Sequence, residues 1–350
     1  MKKLYAHLFF IFFILMGTSI NAQDLHFAQY YTFAQQLNPA LTGNFDGSYR
    51  VAVIYRNQWS SFLDKDAFVT PGVAIDVPLL EGQLKKDKLG IGLMFVNDRF
   101  GQGSLTTLNA AFSLAYHKGL GKDGKHRISL GGQVGYVQKT IDSDGFVFYD
   151  QFDEVSHTGE GVSQDVFNLE RGNYHFFDYN FGIYWKSSFN DRFRMQGGAS
   201  VFHMSEPTEW YIKENDDFFL PRRYLGDLGF EVFLTKKLSL APDALYQQQG
   251  QFQEIMTGAS LGYYFNSGFR DNSSFHVGAR YRFSQQNADA IVTMASLEFR
   301  NVSIGAAYDI NLSELNAVSS KKGAFEVSLV YVGESIRTYK ANKSLPARRF

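Results

Sequence analysis

Residues 324–331, Ala-Phe-Glu-Val-Ser-Leu-Val-Tyr, put Phe325, Val327, Leu329 and Tyr331 on one side of an extended chain. Ala324, Glu326 and Ser328 fall on the other side. Residues 275–283 repeat the alternation, with Arg280 and Arg282 on the polar side. Successive strand side chains point to opposite faces, so each segment has one apolar and one polar face. In a transmembrane β-barrel these are the lipid side and the lumen side. Period-two segments run near 49–57, 70–78, 89–98, 105–117, 126–138, 174–187 and 192–204. They continue near 222–234, 237–248, 252–265, 274–284, 288–299, 302–311 and 324–333. The pattern predicts an all-β chain: an outer-membrane barrel of about fourteen antiparallel strands, an even number as in bacterial single-chain barrels. Two segments are weak. Residues 288–299 alternate poorly, and Pro242 interrupts its strand, where it should cost a ladder bond.

Loop lengths give an independent indication. Such barrels alternate short periplasmic turns with longer outer loops. The four longest gaps, near 58–69, 139–173, 205–221 and 312–323, all follow odd-numbered strands. That parity places them outside the cell, with the N-terminus of the first strand in the periplasm. On the polar faces stand Arg50, Arg56, Asp76, Asp178, Lys186, Asp227, Glu231, Asp243, Arg280, Arg282, Glu298, Asp309 and Glu326. Charge on a lipid face costs a few kcal/mol at mid-depth, so these residues should face the lumen. Their mixed signs favour salt bridges across a plugged or narrow interior over an ion-selective ring.

Composition sharpens this picture. Aromatics make up 16% of the 350 residues, with 34 Phe and 20 Tyr, which suits aromatic girdles. The 32 glycines against 7 prolines suit glycine-softened strands. A net charge of −1 gives no general attraction to nucleic acid or acidic lipid. The absence of cysteine excludes disulfides, thiolate metal sites and a lipid-bearing N-terminal Cys. At the N-terminus, Lys2 and Lys3 precede the apolar run Leu8 to Met16, and Ser19-Ile20-Asn21-Ala22 ends in a small residue. This predicts a signal peptide, residues 1–22, cleaved after Ala22.

Residues 23–48 do not alternate. They carry Phe27, Tyr30, Tyr31, Phe33 and Phe45, with a turn signal at Asn38-Pro39 and bends allowed at Gly43 and Gly47. A bent aromatic segment before a barrel is expected to fold into the lumen as a plug. The expected organisation is therefore signal peptide 1–22, plug 23–48, barrel 49–333 and periplasmic tail 334–350.

Phe27-Ala28-Gln29-Tyr30, Leu37-Asn38-Pro39-Ala40-Leu41-Thr42-Gly43 and Tyr55-Arg56-Asn57-Gln58-Trp59 together resemble the opening signature of the PorP/SprF family. These are outer-membrane proteins of the type IX secretion system of Bacteroidetes. The tail Pro346-Ala347-Arg348-Arg349-Phe350 is similar to the family's Cys-Pro-basic-Phe ending, but it lacks the Cys and displaces the Pro. The resemblance implies a non-enzymatic barrel that supports secretion or surface anchoring of partner proteins, including gliding adhesins. It also implies contact with periplasmic and outer-membrane parts of the secretion and gliding machinery. It marks Phe27, Gln29, Tyr30, Asn38, Pro39, Ala40, Gly43, Arg56, Gln58 and Trp59 as the motif residues.

Other motifs carry less. Gly119-Leu120-Gly121-Lys122-Asp123-Gly124 matches a dinucleotide fingerprint, but a strand follows where a helix is required, so it is a turn. Asp142-Ser143-Asp144-Gly145 opens like a calcium loop without the downstream pattern. The eight histidines are scattered; His203, near Ser205 and Glu206, reads as an aromatic-belt residue rather than a catalytic one. No cofactor, metal site or nucleic-acid partner is expected. Loop 205–221 sets Trp210, Tyr211, Phe218 and Phe219 among acids, a composition that suits a partner contact or a lid over the barrel mouth. A porin-like or hydrophobic-solute channel is the alternative function.

Overall fold

The computed structural model describes residues 24–63, 67–101, 105–121, 125–141, 173–209, 218–265, 273–284, 288–313 and 322–334. The strands are β1 (Arg50–Gln58), β2 (Phe68–Leu79), β3 (Lys88–Phe100), β4 (Leu105–Leu120), β5 (His126–Thr140), β6 (Asn173–Ser188) and β7 (Phe193–Phe202). A two-residue pair follows, β8 (Thr208–Glu209) and β9 (Phe218–Phe219). Then come β10 (Arg223–Phe233), β11 (Leu238–Gln249), β12 (Phe252–Tyr264), β13 (Ser274–Ser284), β14 (Ala288–Phe299), β15 (Val302–Asn311) and β16 (Lys322–Val332). Strands β1–β7 and β10–β16 form a closed antiparallel barrel of fourteen, sealed where β1 pairs with β16 from Arg50↔Val332 to Gln58↔Ala324. Closure leaves no unpaired edge, which a lipid environment demands.

Alternation along the strands becomes two faces of the wall. Val53, Tyr55, Val73, Ile75, Phe112, Leu114, Leu329 and Tyr331 are exposed outward. Their neighbours Arg56, Asp76, Asp178, Asp243, Arg280, Arg282, Asp309 and Glu326 are buried inward. Near the short-turn end, aromatic rings run across β6, β7 and β10: Trp185–Phe189, Phe189–Phe193 and Phe193–Phe230 at 6.3, 5.6 and 6.1 Å. Such a girdle sits at the membrane interface.

One expectation about strands needs correcting, one is explained, and the loop parity holds only in part. Residues 288–299 alternate regularly in burial; the sequence hides this because inward Val292 and Met294 are apolar. Those side chains join an interior apolar cluster with Ala28 and Leu37, so an inward face here needs no polar residues. Pro242 pairs with Ala259 of β12, while pairing with β10 skips from Gly229↔Asp243 to Val232↔Leu240. The missing N–H is thus placed toward one neighbour, and the interruption is local. Loop parity holds for 141–172, 203–222 and 312–321, but the 265–273 connection at the opposite end is as long as 59–67.

Candidate functional site

Residues 24–48 contain one helical turn, Ala34–Leu37, and a 3₁₀ turn, Pro39–Leu41. Asn38 separates them in an extended conformation, and its Oδ1 accepts from Ala40 N at 2.9 Å. Proline at the first helical position needs no hydrogen-bond acceptor, so Asn38-Pro39 is a preset bend. Gly43 then turns the chain at φ +69°, a conformation glycine adopts without strain.

This segment touches every strand of the barrel. Glu326 of β16 accepts from Ala28 N at 2.7 Å and Gln29 N at 3.0 Å, and Arg56 of β1 donates to the same carboxylate. Asp76 of β2 accepts from Gly43 N at 2.6 Å, and Lys88 of β3 donates to Phe45 O at 2.6 Å. His117 of β4 meets Thr42 O at 2.8 Å, and Gln133 of β5 donates to Gln35 O at 3.5 Å. Asn38 Nδ2 donates to Ile183 O of β6 at 3.0 Å and Ala199 O of β7 at 3.1 Å. Arg223 of β10 donates to Leu25 O at 3.2 Å, and Tyr30 donates to Asp243 of β11 at 3.1 Å. His26 lies 3.6 Å from Glu254 of β12, Arg280 of β13 stacks over Tyr30 and Tyr31, and Tyr31 Oη reaches Met294 of β14 at 3.4 Å. On β15, a Cβ at Gly305 would stand 2.3 Å from Gln29 Oε1.

Apolar contacts complete the fit. Phe27, Phe33 and Phe45 pack with inward Ile54, Met94, Val96 and Val330. Burying each phenyl ring is worth about 1.5–3 kcal/mol. Several barrel glycines serve this contact rather than strand softness. A Cβ at Gly182 would lie 1.9 Å from Asn38 Oδ1, one at Gly131 2.3 Å from Ala40 N, and one at Gly90 2.0 Å from Thr42 O.

The segment runs along the barrel. Asp24 lies at the loop-rich end, where its carboxylate meets His203 and, at 3.5 Å, Arg223. His203 Nδ1 is 3.0 Å from Asp178. His203 is only 6% exposed, so it is not a belt residue: two carboxylates hold it under the mouth. Burial works against its charge, but Asp24 and Asp178 overcome this and push it up to about 9. Asp24 is pulled well below the usual carboxylate range, against its burial, by His203 and Arg223. His26 is pushed down to about 3 by burial and by Arg282 and Arg56, so its contact with Glu254 is made by a neutral ring at neutral pH.

The expected motif residues therefore converge. Phe27, Gln29, Tyr30, Asn38, Pro39, Ala40 and Gly43 lie along the segment, and Arg56 reaches it through Glu326. Gln58 accepts from Arg56 at 3.2 Å. Trp59 stands apart at the loop-rich end, edge-on to Phe68 at 5.1 Å. Of the loop aromatics, Trp210 and Tyr211 fall outside the described residues. Phe218 belongs to β9, opposite Glu209, and Phe219 is 57% exposed. Residues 142–172, with the calcium-like stretch, and Lys122-Asp123-Gly124 also lie outside the described residues. No group of metal-ligating side chains occurs among the described residues. The sequence reading missed the inward apolar residues and Asp24; the apolar break in alternation at Val292 and Met294 was the available signal.

A family model described as type IX secretion system membrane protein PorP/SprF matches residues 19–331. The chain belongs to the PorP/SprF family. As a PorP/SprF barrel it resides in the outer membrane, with its apolar face in lipid. No curated protein is significantly similar in sequence. Among solved structures, the toluene transporter TbuX of Ralstonia pickettii is similar over 87% of this chain and 94% of that chain, at 10% identity and TM-score 0.52. That likeness is one of barrel fold. The toluene transporter TodX of P. putida matches at 10% identity and TM-score 0.46, over 86% of this chain and 93% of that chain. A FadL homologue of Pseudomonas aeruginosa gives 10% and 0.45, over 84% and 92%.

Proposed function

We propose that this PorP/SprF barrel is a non-enzymatic, plugged scaffold that supports secretion or surface anchoring of specific partner proteins, such as gliding adhesins. Residues 24–48 are its plug. Eight strands leave an interior that side chains fill, whereas sixteen to eighteen leave an aqueous channel. Fourteen strands enclose space that needs a further filler. The observation that carries the reading is that this one segment lies against all fourteen strands, β1 through Arg50, which donates to Leu41 O at 3.3 Å, and β15 through the close approach of Gly305. A barrel filled in this way suits holding a partner at its mouth better than conducting solutes. The long loops 141–172 and 203–222 are the outward face in this reading, and secretion components meet the short-turn end.

Deleting residues 24–44 tests it. The fourteen strands are untouched, so the variant should still insert and show heat-modifiable migration. It should lose secretion of its partner and co-purification with it. Normal secretion by the deletion variant would sink the proposal.

A further inference from the structure

At the short-turn end, the inward face of the wall gathers cations. Arg127 of β5 and Lys186 of β6 are directly opposite in the ladder, and both are buried, at 9% and 7% exposure. Lys88 of β3 is buried in the same field, two strands from Arg127. Like charges directly opposite on a sheet repel, and buried cations need a counter-charge. Among the described residues no carboxylate comes within 4.0 Å of any of the three. Asp46 acts on both Lys88 and Lys186, and Glu81 on Lys88, but neither carboxylate comes within that distance. Asp76 is bound to Arg50 and Asp243 to Arg280, while Asp227 accepts from Tyr184.

The donors are only partly used. Lys88 donates to Phe45 O, and Arg127 Nη1 donates to Asn44 Oδ1 at 3.3 Å. Arg127 Nε has no partner. Lys186 lines a cleft with Asn44, Arg50, Tyr184, Gln196 and Asp227. His117 adds no opposing charge: its Nε2 faces Thr42 O and its Nδ1 faces Ser129 Oγ.

We propose that Arg127, Lys186 and Lys88 form a binding site for a small free oxyanion, of the phosphate class, at the short-turn end of the barrel. The anion supplies the counter-charge the wall lacks. It takes charge-assisted hydrogen bonds from the unused guanidinium and ammonium donors. Because Asn44 and Phe45 share these cations, the bound anion ties the end of the N-terminal segment to β3, β5 and β6. The site stands on the geometry of the wall and does not depend on the secretion role.

The test uses full-length protein in an uncharged detergent free of phosphate. Inorganic phosphate should raise the unfolding temperature beyond chloride of equal ionic strength, and should broaden the ³¹P resonance. Lys186→Met and Arg127→Met should each weaken binding at least about tenfold, as loss of a charge-assisted bond predicts. Lys186→Arg should retain it, and Lys118→Met, an exposed lysine, should leave it unchanged. Insertion of each variant is checked by heat-modifiable migration. Absence of phosphate-specific broadening with the wild-type protein overturns the proposal without need of any variant. So does undiminished binding in both Met variants, or a response to phosphatidylglycerol but not to phosphate.

Discussion

Glu326 serves two demands with one carboxylate. It accepts from the backbone N–H groups of Ala28 and Gln29 and pairs with Arg56, all in buried surroundings. Removing it leaves a buried guanidinium short of a partner and two orphaned amides. Glu326→Ala should cost about 3–5 kcal/mol, the usual penalty for breaking a buried pair from one side. Urea unfolding of the inserted protein checks the magnitude, and a variant within about 1 kcal/mol of wild type contradicts it. His203 yields a pH prediction. Its folded value of about 9 lies above the ordinary 6.5, so its contribution is complete below pH 6.5 and is lost as pH rises through 9. The folded value of Asp24 is lowered, so its contribution is present above 3.8 and is lost as pH falls through the lowered value. The anchor at the mouth should therefore hold best between pH 3.8 and 6.5. Chymotryptic cleavage at Tyr30 or Tyr31 should accelerate from pH 6.5 to 9, and His203→Gln should flatten that rise. An unchanged slope in the variant would refute the assignment.

Among the elements, the segment and its glycine track act as one unit. Gly131, Gly182 and Gly90 let the backbone and Asn38 lie directly on the wall. A methyl at Gly182 would meet Asn38 Oδ1 at 1.9 Å, and Asn38 is itself fixed by bonds to Ile183 O and Ala199 O. Gly182→Ala should leave the strands paired but displace the Asn38 turn. The expected result is normal insertion, faster proteolysis within residues 28–44 and, in the proposed role, weaker partner retention. Wild-type proteolysis rates in this variant would show that the wall yields instead. Asn38→Ala should resemble it, since it removes a cap worth about 1 kcal/mol and both wall bonds.

For the whole molecule, the decisive quantity is the free space in the lumen. With the segment seated, Phe27, Phe33 and Phe45 cover the inward apolar residues, and Arg50, Arg56 and Arg280 are paired with Asp76, Glu326 and Asp243. The full-length protein should show little steady conductance in planar bilayers. Deletion of 24–44 should open large, steady currents, because the emptied lumen keeps its charged lining. Large currents from the intact protein would favour the channel alternative. A tag at Gly159 on intact cells separately tests the direction: antibody labelling without permeabilisation is expected, and labelling only after it would reverse the orientation.

Period-two patterning settled much of this molecule in advance, because one face of each strand must suit lipid and a register slip would turn every side chain over. Phe325, Val327 and Leu329 against Glu326 and Ser328 are enough to place β16 and its two faces. The bend at Asn38-Pro39 and Gly43 is equally local, since proline and glycine fix backbone angles without help from distant residues. Other features arise only when the barrel closes. Glu326 stands 298 residues from Ala28, and His203 179 from Asp24, so no local pattern could pair them. Val292 and Met294 look misplaced in the sequence because the surface that covers them comes from the other end of the chain. The glycines at 131 and 182 read as loose strand until Ala40 and Asn38 occupy the room where their side chains would be. Arg127 and Lys186 become neighbours only through the register of β5 on β6. Period and turn chemistry are written along the chain, whereas contact across a closed lumen depends on circumference and register, which only the folded ring decides.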